Sequence, residues 1–431
     1  YTHELIQDKQ AQSVGAVLLN DPTVRTARGF GNFQESYFIR GFVLYSDDVA
    51  YNGLYNLLPR QYIATELFER VEVLRGVSTF LAGANPNGDG IGGAINLLPK
   101  RALNEPLTQV TLNAGSGGQY GAAVDFGRRF GPDGTTGIRI NAAYRDGGTG
   151  VDNEKASLGL LAVGLDWRSA TVRLSGDIGW QDNRLQETRP NVTLTSTVTN
   201  VPTAPNASGN FAQHWSYSNE TDLFGTLRAE WDITDSITAW AAYGLRRSDE
   251  ANSLANLDVN DGSTGAATTS RFDNTRNDTV DTGEIGVRGR LVTGPVRHEW
   301  VAAASLFMMK KENAYAWDYF NTLATNLYNP SFYPQPPFGP NTFVGNNLSA
   351  PALTNRTRLE SYALGDTMAM LDDKVLVTLG ARYQRFDIED FAYNTGELTS
   401  HYNQGATSPL LGLVVKPLRE LSLYANYAEG L

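Results

Sequence analysis

The chain has 431 residues, no cysteine and a formal charge of −11, which excludes disulfides and thiolate metal sites and argues against a nucleic-acid partner. Lys, Arg, Asp and Glu make up only 19%, below the roughly one quarter of a soluble protein. No apolar run approaches a membrane helix, the best being LGLLAVGL (Leu158–Leu165), so a chain of mean hydropathy −0.31 is either soluble or a transmembrane β-barrel with half its polarity turned inward.

The first residues, YTHELIQDKQ, have neither a charged n-region nor an apolar h-region, so no signal peptide is expected in this stretch, removal or cropping of one being left open. LIQDKQAQSVGAVLLN follows, and Leu5, Val14, Val17 and Leu18 give it a partial apolar face, which predicts a helix. ESYFIRGF, VLYSDDVAYNG, LFERVEVLRG and AINLLPKR read as short strands and turns. Within ANPNGDGIGGAINLLPKR (Ala84–Arg101), Gly88, Gly90 and Gly93 have the spacing of a dinucleotide-binding loop. The context is wrong for one: a turn-rich loop precedes the glycines, and Pro99 stops a short apolar strand where a helix should begin. No acidic residue stands about twenty positions on. The glycines are read instead as serving tight turns and close backbone approach. Residues 1–104 are therefore predicted to form a small α+β domain.

Composition changes near Asn104–Pro106, and residues 105–431 alternate strictly. In TGIRINAAYRDG, Ile138, Ile140, Ala142 and Tyr144 oppose Arg139, Asn141 and Arg145. In TVRLSGDIGW, Val172, Leu174, Ile178 and Trp180 oppose Arg173, Ser175, Asp177 and Gln181. In KVLVTLGARYQ, Val375, Val377, Leu379, Ala381 and Tyr383 oppose Thr378, Arg382 and Gln384. LSLYANYA, near the end, does the same. A period of two repeated this often predicts antiparallel strands with one apolar face. Short turns, as at Gly131–Thr135 and Thr293–Pro295, alternate with longer loops, of which Leu185–His214 and Ala314–Arg356 are the longest. That asymmetry, with aromatics such as Trp180, Trp231, Tyr383 and Tyr427 near strand ends, predicts an all-β outer-membrane barrel in contact with lipid. About 13 strands are expected, too few to leave no open edge in lipid, so the chain is expected to belong to a larger barrel. A solenoid or propeller would need repeats of fixed length, and the turn spacings are irregular.

ESYFIRGF (Glu35–Phe42), LFERVEVLRGVSTFLAG (Leu67–Gly83) and GDGIGGAINLLPKR (Gly88–Arg101), in that order ahead of the first barrel strand, resemble the plug domain of TonB-dependent outer-membrane receptors, most closely the siderophore-receptor branch. LLGLVVKPLRELSLYANYAEGL resembles a barrel segment of that branch. The resemblance implies a plug filling a barrel of about 22 strands, a ferric siderophore bound from outside, and import by a monomer driven by the inner-membrane TonB complex. It implies no enzymatic activity and no cofactor, iron arriving inside its chelator. No TonB box is recognisable in Tyr1–Ala11, and with about nine strands of such a barrel lacking, the chain by itself is not expected to transport. The same architecture also serves cobalamin or oligosaccharides. A passive porin or adhesin is disfavoured by the plug motifs.

The resemblance also assigns residues. Arg40 of IRGF and Arg75 of LRG match plug arginines that pair with barrel carboxylates, Glu429 being the barrel candidate, while Glu69 and Glu72 are candidates to serve within the plug. The competing reading is ion pairing with no part in gating. Arg28 matches an arginine that reaches the ligand in a hydroxamate-type receptor; otherwise it is a solvated loop residue. Tyr45, Tyr51, Tyr55 and Tyr62 surround AYNGLYNLLPRQY, a second expected plug apex. Tyr315, Trp317, Tyr319, Phe320 and Tyr333 are candidate contacts in an outer loop that otherwise packs on itself. His3, His214, His298 and His401 are isolated, so no protein-bound metal is expected. Asp47 and Asp48 read as a solvated turn, and no nucleophile–base arrangement stands out.

Overall fold

The computed structural model describes residues 1–28, 33–77, 80, 83, 85–87 and 91–429. The N-terminal stretch forms two helices rather than one, α1 (His3–Asp8) and α2 (Val14–Leu18). Gln10 turns left-handed between them (φ 51°), and Ser13 caps α2 by accepting from the Ala16 amide at 3.1 Å, which restarts the helix at a new angle.

Strands β1 (Val24–Arg28), β2 (Ser36–Ile39) and β3 (Phe42–Tyr45) form an antiparallel sheet. A two-residue turn joins β2 to β3, Ile39 pairing with Phe42. Arg40 (φ 54°) and Gly41 (φ 90°) both lie in the left-handed region such a turn needs. Strands β4 (Ala50–Tyr51), β5 (Leu54–Tyr55), β6 (Phe68–Arg75) and β7 (Gly93–Pro99) form a second sheet in the order β5-β4-β7-β6, with β4 parallel to β7. Gly88 and Gly90 lie outside the described residues. The glycines that open β7 show what the loop requires. A Cβ on Gly92 would stand 2.4 Å from the Ile39 carbonyl oxygen, and one on Gly93 2.2 Å from that of Leu74. The close approach is to the plug's own backbone.

From Leu107 the chain runs as long antiparallel strands. They are β8 (Leu107–Ala114), β9 (Tyr120–Phe130), β10 (Thr136–Asp146), β11 (Lys155–Arg168), β12 (Val172–Gln186), β13 (Val192–Leu194), β14 (Tyr217–Thr234), β15 (Ile237–Val259), β16 (Ala266–Thr293), β17 (Val296–Trp317), β18 (Leu323–Asn326), β19 (Phe343–Gly345), β20 (Ala352–Met370), β21 (Val375–Phe391), β22 (Leu398–Leu418) and β23 (Leu421–Ala428). Thirteen of these form one continuous wall in sequence order, and the short β13, β18 and β19 pair with β15, β16 and β17. The two long loops thus extend the wall with their own strands, which lets them stand above it in order. By the rule that inner turns are short and outer loops long, residues 187–216 and 318–351 lie at the outer end.

The alternation sorts the two faces of the wall. On β10, Arg139, Asn141 and Arg145 are buried against the plug, while Tyr144 is exposed. Leu161, Leu165, Ile178, Leu227 and Trp231 are exposed on the outer surface, an apolar band suited to lipid. The main core is inside the plug, where Val14, Leu18, Ile39, Leu44, Ile63, Phe68, Ile95 and Leu97 are buried together. Leu158, Phe224 and Val280 of the wall join it.

Candidate functional site: the plug–wall seam and outer vestibule

The plug is fastened to the wall by buried charge. Arg60 follows β5 in a segment whose backbone turns toward β14 and β15. Its Nε donates to Asp47 Oδ1 at 3.0 Å, its Nη1 to Glu250 Oε1 at 2.5 Å and its Nη2 to Gln34 Oε1 at 2.5 Å. The backbone amides of Arg60 and Gln61 donate to the two oxygens of Glu220 at 2.6 and 2.8 Å. Beside them, Arg246 pairs with Asp278 at 2.9 Å, and Arg276 holds Asp278 bidentately at 2.8 and 2.6 Å. Burial works against ionisation of Asp47, but Arg60, Arg276 and Arg246 outweigh it and hold the carboxyl below its ordinary range. Asp47 and Asp48 are therefore not a solvated turn. Both are buried, Asp47 on Arg60 and Asp48 accepting from the Asn87 amide at 3.0 Å.

Further pairs tie the inner part of the plug to β9, β10 and β12. Arg145 of the wall bonds Glu66 of the plug and donates to the Tyr62 hydroxyl at 3.0 Å. Lys100 donates to Asp125 at 2.9 Å, and Arg101 bonds Asp177, with Arg101 Nη2 at 2.6 Å from Oδ2.

Above the Arg60 network lies an outer vestibule of about 790 Å³ between the plug and β16–β22. Gln34, Tyr45, Asp47, Pro86 and Asn87 form its plug side; Arg276, Lys311, Asn355, Phe386, Asp390 and Tyr402 are on the wall. Arg276 and Lys311 face this space as cations, and among the described residues no carboxylate lies within 4.0 Å of the Lys311 ammonium. Two cations, three aromatic rings and several amides around a concave space, with the lining carboxylates Asp47 and Asp390 engaged by Arg60 and Asn355, suit a large, oxygen-rich, partly apolar ligand. Phe33, next in sequence to Gln34 of this lining, opens an aromatic cluster. Phe33 of the plug meets Phe272 edge-on at 5.4 Å, Phe272 stacks on Tyr315 at 5.8 Å, and Tyr315 stacks on Phe343 at 5.0 Å.

The structure scatters the residues singled out by sequence. Tyr45 lines the vestibule. Tyr315 and Trp317 are among the last residues of strand β17 rather than in a loop, with Tyr319 beside Trp317 at 5.3 Å and Phe320 beside Tyr319 at 4.1 Å. The Tyr333 hydroxyl donates to the Ala324 carbonyl within the same loop. Tyr51 is no apex residue: it is buried, its ring edge-on to Phe68 and to Phe224, because β4 is the inner strand of its sheet. Tyr62 donates to the Gln12 carbonyl at 2.7 Å and serves the inner seam. Tyr55 faces a deeper cavity. Arg28 is exposed at the end of β1, next to residues 29–32, which lie outside the described set. Arg75 bonds Asp21 inside the plug rather than a barrel carboxylate, with Nε 3.1 Å from Oδ2. Arg40 is exposed and, among the described residues, makes no ion pair. Glu72 pairs with Arg70 at 2.8 Å, Glu69 is half-buried on β6, and Glu429 accepts from the nearby Tyr427 hydroxyl. Besides Arg101, the plug arginine that reaches a wall carboxylate is Arg60, inside the very stretch AYNGLYNLLPRQY that was read for its tyrosines.

A plug seated by buried ion pairs within a wall of lipid-facing antiparallel strands defines a plugged outer-membrane receptor. Residues 1–89 match the TonB-dependent receptor plug domain, and residues 166–431 match the TonB-dependent receptor-like β-barrel. The chain belongs to the TonB-dependent receptor family of the bacterial outer membrane. The ferrichrome receptor FcuA of Yersinia enterocolitica is 36% identical over 100% of this chain and 56% of its own length. The ferrichrome outer membrane transporter/phage receptor of Escherichia coli K12 is 26% identical over 88% of this chain and 53% of its own. The crystal structure of BauA, the ferric preacinetobactin receptor of Acinetobacter baumannii, superposes with a TM-score of 0.90 at 31% identity, covering 100% of this chain and 63% of that one. The chain thus spans about half the length of the curated relatives it matches.

Proposed function

We propose that this chain belongs to a receptor that captures a ferric siderophore from outside the cell and imports it with energy from the TonB complex, without enzymatic chemistry. The observation that carries this reading is the vestibule: Tyr45 and Gln34 of the plug face Arg276 and Lys311 of the wall across one concave space. A ferric chelate offers what these groups bind, namely ionised or carbonyl oxygens around the metal and an apolar or aromatic frame. Iron needs no protein ligands in this scheme, because the chelator already fills its coordination shell. The names carried by FcuA and BauA point to the same ligand class.

The test is equilibrium binding by the full-length receptor in detergent, followed by quenching of tryptophan fluorescence. Ferric hydroxamates, ferric catecholates, the iron-free chelators, cobalamin and maltooligosaccharides are titrated in turn. Saturable quenching by one ferric chelate class supports the reading and names the class. Quenching by cobalamin or sugar alone overturns it while leaving the plugged importer in place.

A further inference from the structure

Beneath the vestibule lies a second cavity, about 330 Å³, between the plug sheet and β16–β21. Pro86 of the plug and Phe386 of β21 line both spaces, so the two cavities abut across this pair. Strand periodicity turns Phe386, Gln384 and Arg382 to the same inner face, a ladder leading from the upper space into the lower one.

Arg382 at the foot of that ladder is unusual. It is buried to 8% relative exposure. Its Nε donates to the Phe80 carbonyl at 2.9 Å and its Nη1 to Ser361 Oγ at 2.8 Å. Among the described residues no carboxylate lies within 4.0 Å of its guanidinium, whereas the other deeply buried wall arginines, Arg139, Arg145 and Arg246, each have one. Glu72, Glu284 and Glu360 share the cavity but stand beyond that distance, each engaged elsewhere: Glu284 accepts from Trp240 Nε1 at 2.7 Å, Glu72 pairs with Arg70 at 2.8 Å and Glu360 with Arg358 at 2.7 Å. A buried guanidinium with neutral partners only keeps much of its desolvation cost, and an anion entering the cavity would offset it.

We infer that the lower cavity is a second station for the ligand, an anion site built on Arg382 and entered from the vestibule between Pro86 and Phe386. The inference rests on the proposed import of a ferric chelate. It assigns the passage to the seam along β16–β21 and away from the side sealed by Arg145, Lys100 and Arg101. At its present volume the cavity takes one arm of a chelate, presented through a carboxylate or another ionised oxygen, and a whole chelate requires the seam to widen when the plug is pulled.

The experiment uses the full-length receptor in cells, with external binding and energised uptake of an anionic ferric chelate measured separately. Arg382→Gln keeps a hydrogen-bond donor and removes the charge; Arg382→Lys keeps the charge and loses the two-point hold on Phe80 and Ser361. The expected result is external affinity within about twofold of wild type for both variants, uptake reduced at least about tenfold in R382Q, and uptake largely rescued in R382K. Equal loss in both variants, or loss of external affinity in step with uptake, assigns Arg382 to plug seating and overturns the inference. As an independent arm, Ser305→Cys in the lower cavity is labelled with a bulky thiol reagent. Labelling is expected to block uptake while leaving external binding intact; unimpaired uptake after full labelling overturns the inference even if R382Q fails to fold. Failure of the wild-type receptor to bind any ferric chelate overturns the proposed function instead, so the two failures are distinguishable.

Discussion

Arg60 of the plug and Glu250 of β15 stand 2.5 Å apart, with side chains 3% and 1% exposed. They are separated by 190 residues of chain, and their pairing is one of the buried contacts that fasten the plug to the wall. Asp47 on the same guanidinium also lines the vestibule, so the floor of the vestibule and the fastening of the plug share a residue.

Removing one partner of such a pair leaves the others buried and unpaired, which costs about 3–5 kcal/mol. Arg60→Met is expected to loosen the outer half of the plug without unfolding the wall. Faster amide hydrogen exchange across Asp47–Gln61, with exchange in β14 and β15 unchanged, is the predicted signature; unchanged exchange across Asp47–Gln61 contradicts it.

Lys311 faces the vestibule and, among the described residues, has no carboxylate within 4.0 Å, so its charge is available to a ligand. Lys311→Gln is expected to weaken binding of an anionic ferric chelate about tenfold, a charge-assisted hydrogen bond being worth on the order of 1.5 kcal/mol. A neutral chelate should be affected much less. Titrations at two ionic strengths separate the cases, because the lost contribution is the salt-sensitive one.

Glu35 is buried in the plug with its carboxyl against Gly15, where a Cβ would stand 2.0 Å from Oε1. Burial pushes its pKa from 4.5 up to about 8, and the nearby polar groups of Tyr37 and of the Gly15 and Ile63 backbone only partly oppose this. The folded plug therefore keeps a proton that the unfolded chain releases near pH 4.5. Stability on this account is fully present below that pH, falls as pH rises toward 8, and levels off above. Glu35→Gln should flatten that slope and raise the denaturation midpoint of the plug at pH 8. A wild-type midpoint independent of pH over this window contradicts the assignment.

Gly92→Ala places a methyl 2.4 Å from the Ile39 carbonyl oxygen, a backbone atom that cannot swing aside. Loss of at least about 1–3 kcal/mol is expected, read as protease sensitivity of the plug. Gly41→Ala meets no atom within 4 Å, and its smaller cost comes from positive φ alone.

Much of the wall was legible in sequence, because lipid on one side and plug on the other impose a period of two that survives any tertiary detail. The face assigned to Arg382 and Gln384 from KVLVTLGARYQ is the inward one, and thirteen wall strands stand where about that many were expected. The long loop after β17 was drawn too wide, since β17 and β20 continue past the apolar stretch and carry Tyr315 and Trp317 on paired backbone. The plug was less legible. Tyr51 looked like an apex residue because the parallel pairing of β4 with β7 joins segments more than forty residues apart, and no local pattern announces it. Arg60 went unnoticed for the same reason: its partners, Asp47, Glu220 and Glu250, come together only in the fold.

The central claim, energised import of a ferric siderophore, is tested most directly by uptake of a radioactive ferric chelate into cells whose only route for it is the full-length receptor. Cells are assayed with and without a protonophore that collapses the proton-motive force. The account predicts that surface binding persists in both while accumulation stops when the force is removed. Accumulation that continues at the same rate without the force would make the protein a passive pore and contradict the account.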